Sequence, residues 1–464
     1  MATVFLMRKS ILTAAAGVAI GAGVPALIVP LGSVFGLWPN RDLNHASAYI
    51  HDVLELVNEN YVDAKSADYI DLTHSALHGM VESLDPHSEF MESKDNQELE
   101  EDLSGEFGGI GVQVEVRGGK IVVIEPMPGT PGDRAGIRRG DEIMSIDGQS
   151  VVGSASQDDI VNQLRGRPKT AVRLSLLRPA TGRQFTLTLN REIIKVDSVT
   201  GVRVLDEDVG YILLTEFSEH TGEQFADAVD GLLKKNINSL IIDLRNNPGG
   251  LLDAAVEVAE PFFRKGELIV YTQGRKPGDR EDFRAEAEGD PLQIPIAILI
   301  NEDTASAAEI VTGALKDTGR AVIVGERSFG KGSVQSIFSL KNGEGLRLTT
   351  AKYYTPSGIS INQKGIEPQV AVVMTDAEDD KLRQQVARPD LADPKEFKER
   401  FGFAPIEDRQ LRAAVDVLKG VELLEEQASP APLPAAGAAA KHASARPAEP
   451  GVHRLSGRPP RSVG

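Results

Sequence analysis

The chain has 464 residues, 41% of them hydrophobic and 25% charged, with a formal net charge of -18 and no cysteine. That length and balance allow two or three globular domains whose cores need no disulfide staples. The negative charge excludes nucleic acid and anionic lipid headgroups as main partners. The missing thiols exclude cysteine nucleophiles and cysteine-bound metals, and leave the redox compartment open.

Arg8 and Lys9 precede a stretch without charge as far as Arg41, rich in Ala, Gly, Val, Leu and Ile. Residues 1–40 read as an export signal, either cleaved near Ala22 or Ala26 or kept as an N-terminal anchor. Either outcome predicts an exported body, periplasmic or anchored in the inner membrane and facing the periplasm. Residues 41–102 carry helical periodicity, with Ile50, Val53, Leu54 and Val57 on one face and Leu72, Leu77 and Met80 on another. His74 and His78 lie four apart without an H-E-x-x-H context, so they read as surface histidines and no metal is expected.

Residues 103–191 alternate short strands with turns. Val112, Val114 and Val116 alternate, Gly118-Gly119 turns the chain, and Ile121 to Ile124 returns. The segment "GTPGDRAGIRRGDEIMSIDGQSV" reads as loop, short helix, strand and Asp147-Gly148 turn, before a helix opened by a Ser154-x-x-Gln157 capping box. With "GEFGGIGVQV" ahead of it, this unit resembles a PDZ domain. Gly109, Ile110, Gly111 and Val112 then form the peptide-binding segment: glycines let backbone N–H groups converge on a terminal carboxylate, and an open strand edge adds the peptide as a further strand.

From 192 to 375 strands and helices alternate: "VGYILLT", Thr221 to Lys235, "SLIIDL", Leu251 to Phe263, "IPIAILI", a helix from about Ala305, and "AVIVG". This is α/β in class. Residues 376–428 form a second small helical region, with an amphipathic helix from Arg409 to Glu426. The Pro- and Ala-rich basic tail, 429–464, is expected to be disordered.

Within the α/β region, "GERSFGKGSVQSIF" imitates a P-loop, but a P-loop requires Ser or Thr after the lysine and then a helix. Gly332 follows Lys331, and Val334, Ile337 and Phe338 read as a strand. No histidine lies between His220 and His442, so no Ser-His-Asp triad can be built there and lysine is the substitute activator. A nucleophile candidate is Ser306 in "NEDTASAAEIVTGALKD", at a strand-to-helix corner where unpaired N–H groups can hold an oxyanion. Ser306-x-x-Glu309 is equally a capping box, and the corner alone does not decide between the two. Pro248-Gly249-Gly250, after another strand, offers further donors or a plain turn.

These motifs in order, with "GYILLTEFS", "LIIDLRNNPGGLLDAAVEVAEPFF" and "LTTAKYYTPSGISINQKGIEPQ", resemble the carboxyl-terminal processing peptidases, or tail-specific proteases, from about residue 41 to 375. The resemblance implies a crotonase-like α/β protease core with an inserted, mainly β PDZ domain and small helical terminal regions. It implies a serine endopeptidase without cofactors, in which catalytic Ser306 attacks a peptide carbonyl, Lys331 takes and returns the proton, and Gln335 supports the lysine. Backbone N–H groups of Ala307 and of Gly249 or Gly250 would hold the oxyanion. Lys331 would have to be neutral, its pKa of about 10.4 lowered by burial or positive charge. Gln335 could orient the amine without the negative charge that would raise that pKa.

The resemblance further implies substrates that are protein or peptide chains with free C-termini, which the PDZ unit would capture. Arg165, at the end of the second PDZ helix, is the candidate for coupling capture to catalysis. His87 in "LDPHSEFM" reads as structural. An adaptor protein, a membrane anchor and a homo-oligomer are all compatible with the sequence. Asp303, Ala308 and Lys169 depart from the family's frequent residues without removing a reacting group. The alternatives are a catalytically silent PDZ scaffold and an acyl-CoA enzyme of crotonase type.

Overall fold

The structure, a computed structural model, describes residues 41–428 other than 152, 154, 155, 207 and 392. The expected export segment 1–40 and tail 429–464 lie outside the described residues, as does Ser154. Among the described residues no helix is long and apolar enough to cross a membrane.

The α/β core is built on a six-stranded sheet in the order Val199–Leu205, Val209–Leu214, Ser239–Asp243, Ile296–Ile300, Ala321–Gly325, Val370–Ala371. Only the first pair is antiparallel. Parallel strands covered on both faces read as unbroken apolar runs, which is why "SLIID" and "IAILI" are buried throughout. Ile212, Leu240, Ile242, Ile298 and Ile323 pack with helices Thr221–Leu233, Leu252–Ala259 and Ala307–Asp317. Tyr211, Ile241, Leu299 and Val324 face the other way, onto Ala414, Val415 and Leu418 of helix Arg409–Ala428. The helix expected from Leu251 to Phe263 stops at Ala259 and tightens into a 3-10 turn, Glu260–Phe262, because Pro261 has no N–H to continue the ladder.

Register positions the site. Asp243 pairs with Leu299, so the loop after Asp243 and the corner after Ile300 emerge together at the C-terminal edge, where open α/β sheets bind ligands. A second, antiparallel sheet flanks this edge: Gly345–Tyr354 pairs with Glu89–Met91, Leu268–Gly274 and Ser333–Ser339. The PDZ sheet runs Val112–Arg117, Lys120–Pro126, Glu142–Ile146, Ala171–Arg178, Arg183–Asn190, all antiparallel. Val112–Arg117 is at its edge. The two-stranded pair Glu106–Gly109 and Glu192–Lys195 closes the PDZ entry and exit.

Three local expectations change. The helix Gln157–Leu164 is capped by Ser156 and Asp159, two residues beyond the expected box: Asp159 N–H donates to Ser156 Oγ at 3.1 Å, and Ser156 N–H to Asp159 Oδ2 at 3.3 Å. The valine alternation breaks at Glu115, which is buried beside Val114, while the register shift opposite Gln113/Val114 places its extra residue, Ile124, in the partner strand. Glu115 accepts from Arg117, Arg388 and Arg400, tying the PDZ sheet to the C-terminal helical region. Helix Arg41–Asn60 forms as expected but its predicted face is not covered: Ile50, Val53 and Val57 are exposed and only Leu54 is half-buried, since the helix packs mainly on the neighbouring 64–82 segment.

Candidate active site

The corner that carries Ser306 is tied to the loop after Asp243 before the serine is reached. Asn301 Oδ1 accepts from Asn246 N–H at 2.8 Å, and the Thr304 hydroxyl donates to Leu244 O at 2.8 Å. Ser306 itself has φ 55° and ψ -116°, a region that side-chain-bearing residues avoid and that persists only where surrounding structure over-determines it. Such a strained strand-to-helix turn projects a serine hydroxyl outward. The Ala307 N–H that opens the helix has no acceptor among the described residues.

Opposite lies Pro248-Gly249-Gly250. A Cβ on Gly249 would stand 2.7 Å from Ser306 Cβ and 2.9 Å from Ala307 N, so the glycine lets two backbones meet at the serine. The two glycines differ in what their N–H groups do. Gly249 N–H donates to Asn247 Oδ1 at 2.9 Å, whereas Gly250 N–H has no acceptor among the described residues. Sequence could not distinguish them because the occupant is a side chain two residues away, itself held by Leu214 O.

Glu309 caps the helix as the sequence suggests and, beyond that reading, joins the serine corner to the lysine loop. Its carboxylate is fully buried. Oε2 accepts from Ser306 N–H at 3.0 Å and Lys331 N–H at 2.9 Å; Oε1 accepts from Gly330 N–H at 2.8 Å and the Ser328 hydroxyl at 2.5 Å. Burial pushes this carboxyl up, against those donors, which hold it down. Close approach also explains the glycines around Lys331: a Cβ on Gly332 would stand 2.3 Å from Asn362 N, and one on Gly330 2.8 Å from Gly365 N.

Ser306, Ala307, Gly249, Gly250, Lys331 and Gln335 line one cleft of about 390 Å³. The Lys331 amine is held below the usual lysine range, first by burial and then by the positive charge of Arg347, a cleft residue that sequence reading did not single out. Arg347 is itself anchored on Glu89 at 2.6 Å. Gln335 does not meet the lysine: its amide N–H groups go to the Ser333 and Thr349 hydroxyls at 2.9 and 3.2 Å. The register between its strand, Ser333–Ser339, and Gly345–Tyr354 shifts at Val334/Gln335, with Thr350 of the partner strand as the extra residue. Thr349 also donates to Asp85, so the "LDPHS" turn braces this strand from behind. His87 is held below its usual range by burial and then by Lys331.

At the cleft wall toward the PDZ unit stand Asp102 and Glu216, whose carboxyls burial pushes up. Asp102 also senses Arg165. Arg165 caps the end of helix Gln157–Leu164, stacks on Phe107 at 4.4 Å and lies 3.9 Å from Glu101. Gly109, Ile110, Gly111 and Val112 line a small groove with Val161, Leu164 and Arg165, alongside the open edge strand. His74 and His78 pack on Phe90 and meet Glu344, Glu92 and Glu82. No metal-binding group of three or more acidic or histidine ligands occurs among the described residues.

An α/β core whose cleft gathers a strained serine corner and a half-buried lysine, beside a PDZ sheet with an open edge, has the frame of a serine-type peptidase. The sequence model of peptidase family S41 matches residues 208–372, and that of the PDZ domain residues 97–177. The chain is 38% identical over 384 residues to the carboxy-terminal-processing protease of Bartonella bacilliformis, covering 80% of this chain and 87% of that one. It is 37% identical over 328 residues to carboxy-terminal processing protease CtpA of Bacillus subtilis, covering 70% and 69%. Among solved structures it matches a photosystem II D1 C-terminal processing protease at 31% identity and TM-score 0.40, over 69% of this chain and 91% of that one. The chain belongs to peptidase family S41, with the carboxy-terminal processing proteases, and is a serine-type peptidase bearing a PDZ domain.

Proposed function

We propose that this peptidase cleaves protein substrates near their free C-termini through an acyl-enzyme formed on Ser306. Neutral Lys331 takes the serine proton as Oγ attacks the peptide carbonyl and returns it to the leaving amine; water then releases the acyl group. Ala307 and Gly250 N–H groups hold the oxyanion, Gly250 being preferred because the Gly249 donor is occupied. The observation that carries this reading is the Glu309 node, which locks the backbones of Ser306 and Lys331 to one carboxylate.

The Lys331 amine has no hydrogen bond to Ser306 or Gln335, and the Gln335 amide faces Ser333 and Thr349. This supports a resting enzyme whose last alignment comes with substrate. The C-terminus binds along Gly109 to Val112, and Arg165, reaching the segment that carries Asp102, passes that event to the cleft. Catalysis takes place outside the cytoplasm, with residues 1–40 as signal or anchor.

The test is cleavage of an unfolded protein with a free C-terminus by the chain lacking residues 1–40, beside Ser306→Ala and Lys331→Ala. Activity in the parent and in neither variant supports the mechanism. Activity surviving both substitutions would overturn it.

A further inference from the structure

Tyr353 is 2% exposed and its hydroxyl, lining the same cleft as Ser306 and Lys331, has no hydrogen-bond partner among the described residues. Buried polar groups in folded proteins are nearly always paired, so an orphan at an active site calls for an explanation. The explanation is not a slack local fold. Tyr353 sits in strand Gly345–Tyr354, pairs with Thr272, and donates its own N–H to Gly332 O, just after the lysine, at 3.1 Å. Nor is there a spare acceptor beneath it. The Glu309 carboxylate acts on the phenol electrostatically, but each of its oxygens is already shared by two donors. Ser306 is the other side chain within the hydroxyl's reach, close enough to interact with it but outside hydrogen-bond geometry. Burial and Glu309 both hold the phenol above its usual range, so it stays protonated and can act as a donor.

We propose that Tyr353 is a further catalytic residue, whose O–H donates to Ser306 Oγ when substrate fills the cleft. This rests on the Ser306/Lys331 reading above. A neutral serine oxygen that accepts from the phenol has its own proton left to point at Lys331 Nζ. In acylation the Oγ–H bond breaks, an Nζ–H bond forms, and the Oγ electron pair bonds to the carbonyl carbon as the carbonyl oxygen becomes the oxyanion. The phenol keeps its proton and carries part of the charge developing on Oγ. In deacylation the same hydrogen bond stabilises Oγ as the leaving oxygen. The resting orphan is then a donor held ready, with no competing partner to be broken when the reaction begins.

The test is Tyr353→Phe, which removes one oxygen and keeps the ring. With a reporter peptide ending in a free carboxylate, kcat is expected to fall about 10- to 100-fold, toward the range seen when a preorganised donor is removed. KM and the pH midpoint of the rising limb should stay near the parent's. The rate at which a fluorophosphonate labels Ser306 should fall in step with kcat, and the melting temperature should hold or rise, because no resting hydrogen bond is lost. Parent-like kcat and labelling would overturn the proposal, as would a loss confined to KM. A melting temperature lowered by several degrees would also overturn it, by showing the hydroxyl bonded in the resting enzyme. Ser306→Ala separates this from the underlying mechanism: if Ser306→Ala still cleaves, the Ser306 reading fails and Tyr353 with it. If Ser306→Ala is dead and Tyr353→Phe fully active, only the role of Tyr353 fails.

Discussion

Glu309→Gln tests whether the serine corner and the lysine loop are held by a single carboxylate. The substitution is nearly isosteric, so packing is preserved, but a carboxylate that accepts from four donors becomes an amide with one accepting oxygen and one NH2 group. In one orientation Ser306 N–H and Lys331 N–H, on Oε2, must then face the NH2 group; in the other Gly330 N–H does, while the Ser328 hydroxyl on Oε1 can turn to accept from it. Hydrogen bonds to charged groups contribute about 1.5–3 kcal/mol each, so the loss amounts to about 1.5–6 kcal/mol. Either orientation loosens the link between the two loops. If half of that loss falls on the aligned transition state, at about 1.4 kcal/mol per tenfold, kcat drops by about 3- to 100-fold, and the remainder appears as lowered stability. Peptide cleavage and fluorophosphonate labelling of Ser306 measure the first, thermal unfolding the second. A Gln variant within about threefold of the parent in kcat, with unchanged melting, would refute the node as the link between the two loops.

The remaining predictions concern charge, backbone and coupling. Because burial and Arg347 hold Lys331 below the lysine range, activity should rise with pH through a midpoint below the ordinary lysine value. Arg347→Met should move that midpoint upward, since a neighbouring positive charge disfavours the protonated amine; a flat profile from about pH 6 to 9 would sink lysine as the base. Gly250→Ala should abolish cleavage, because its Cβ would lie 2.1 Å from Phe217 O at φ +142°; near-parental rates would refute the close approach. Arg245 is buried among Asp243, Asp408 and Gln410. Arg245→Met should cost about 3–5 kcal/mol by stranding the two carboxylates, read as a lower urea midpoint, and an unchanged midpoint would contradict the pairing. Arg165→Ala should leave fluorophosphonate labelling of Ser306 intact in the absence of peptide and abolish its acceleration by a C-terminal peptide; retained acceleration would remove Arg165 from the coupling.

Much of this protein is legible along the chain because the determining interactions are local or periodic. The apolar runs "SLIID" and "IAILI" announce strands buried on both faces, and Gly118-Gly119 and Asp147-Gly148 mark turns that backbone sterics impose. Gly332 rules out a P-loop by itself, and the serine and lysine lie in motifs short enough to quote. The failures have equally physical sources. Glu115 lies inward against the valine alternation because Arg388 and Arg400, far along the chain, pair with it, and an acidic residue two places on competes successfully for the cap of helix Gln157–Leu164.

What only the tertiary structure decided depends on pairs far apart in sequence. Glu309 caps its helix as the sequence suggests, but only the fold brings Gly330 and Lys331, 21 and 22 residues on, to the same carboxylate. That Gly249 N–H is occupied turns on where Asn247 points, which Leu214 fixes from another strand. Arg347 lowers the Lys331 pKa from a neighbouring strand, and Tyr353 lines the same cleft as a serine 47 residues earlier in the chain. Residue types and local spacing can specify which groups could react. Whether a lysine is neutral, an N–H free or a phenol unpaired depends on desolvation and on competing partners, and both are set when distant segments pack.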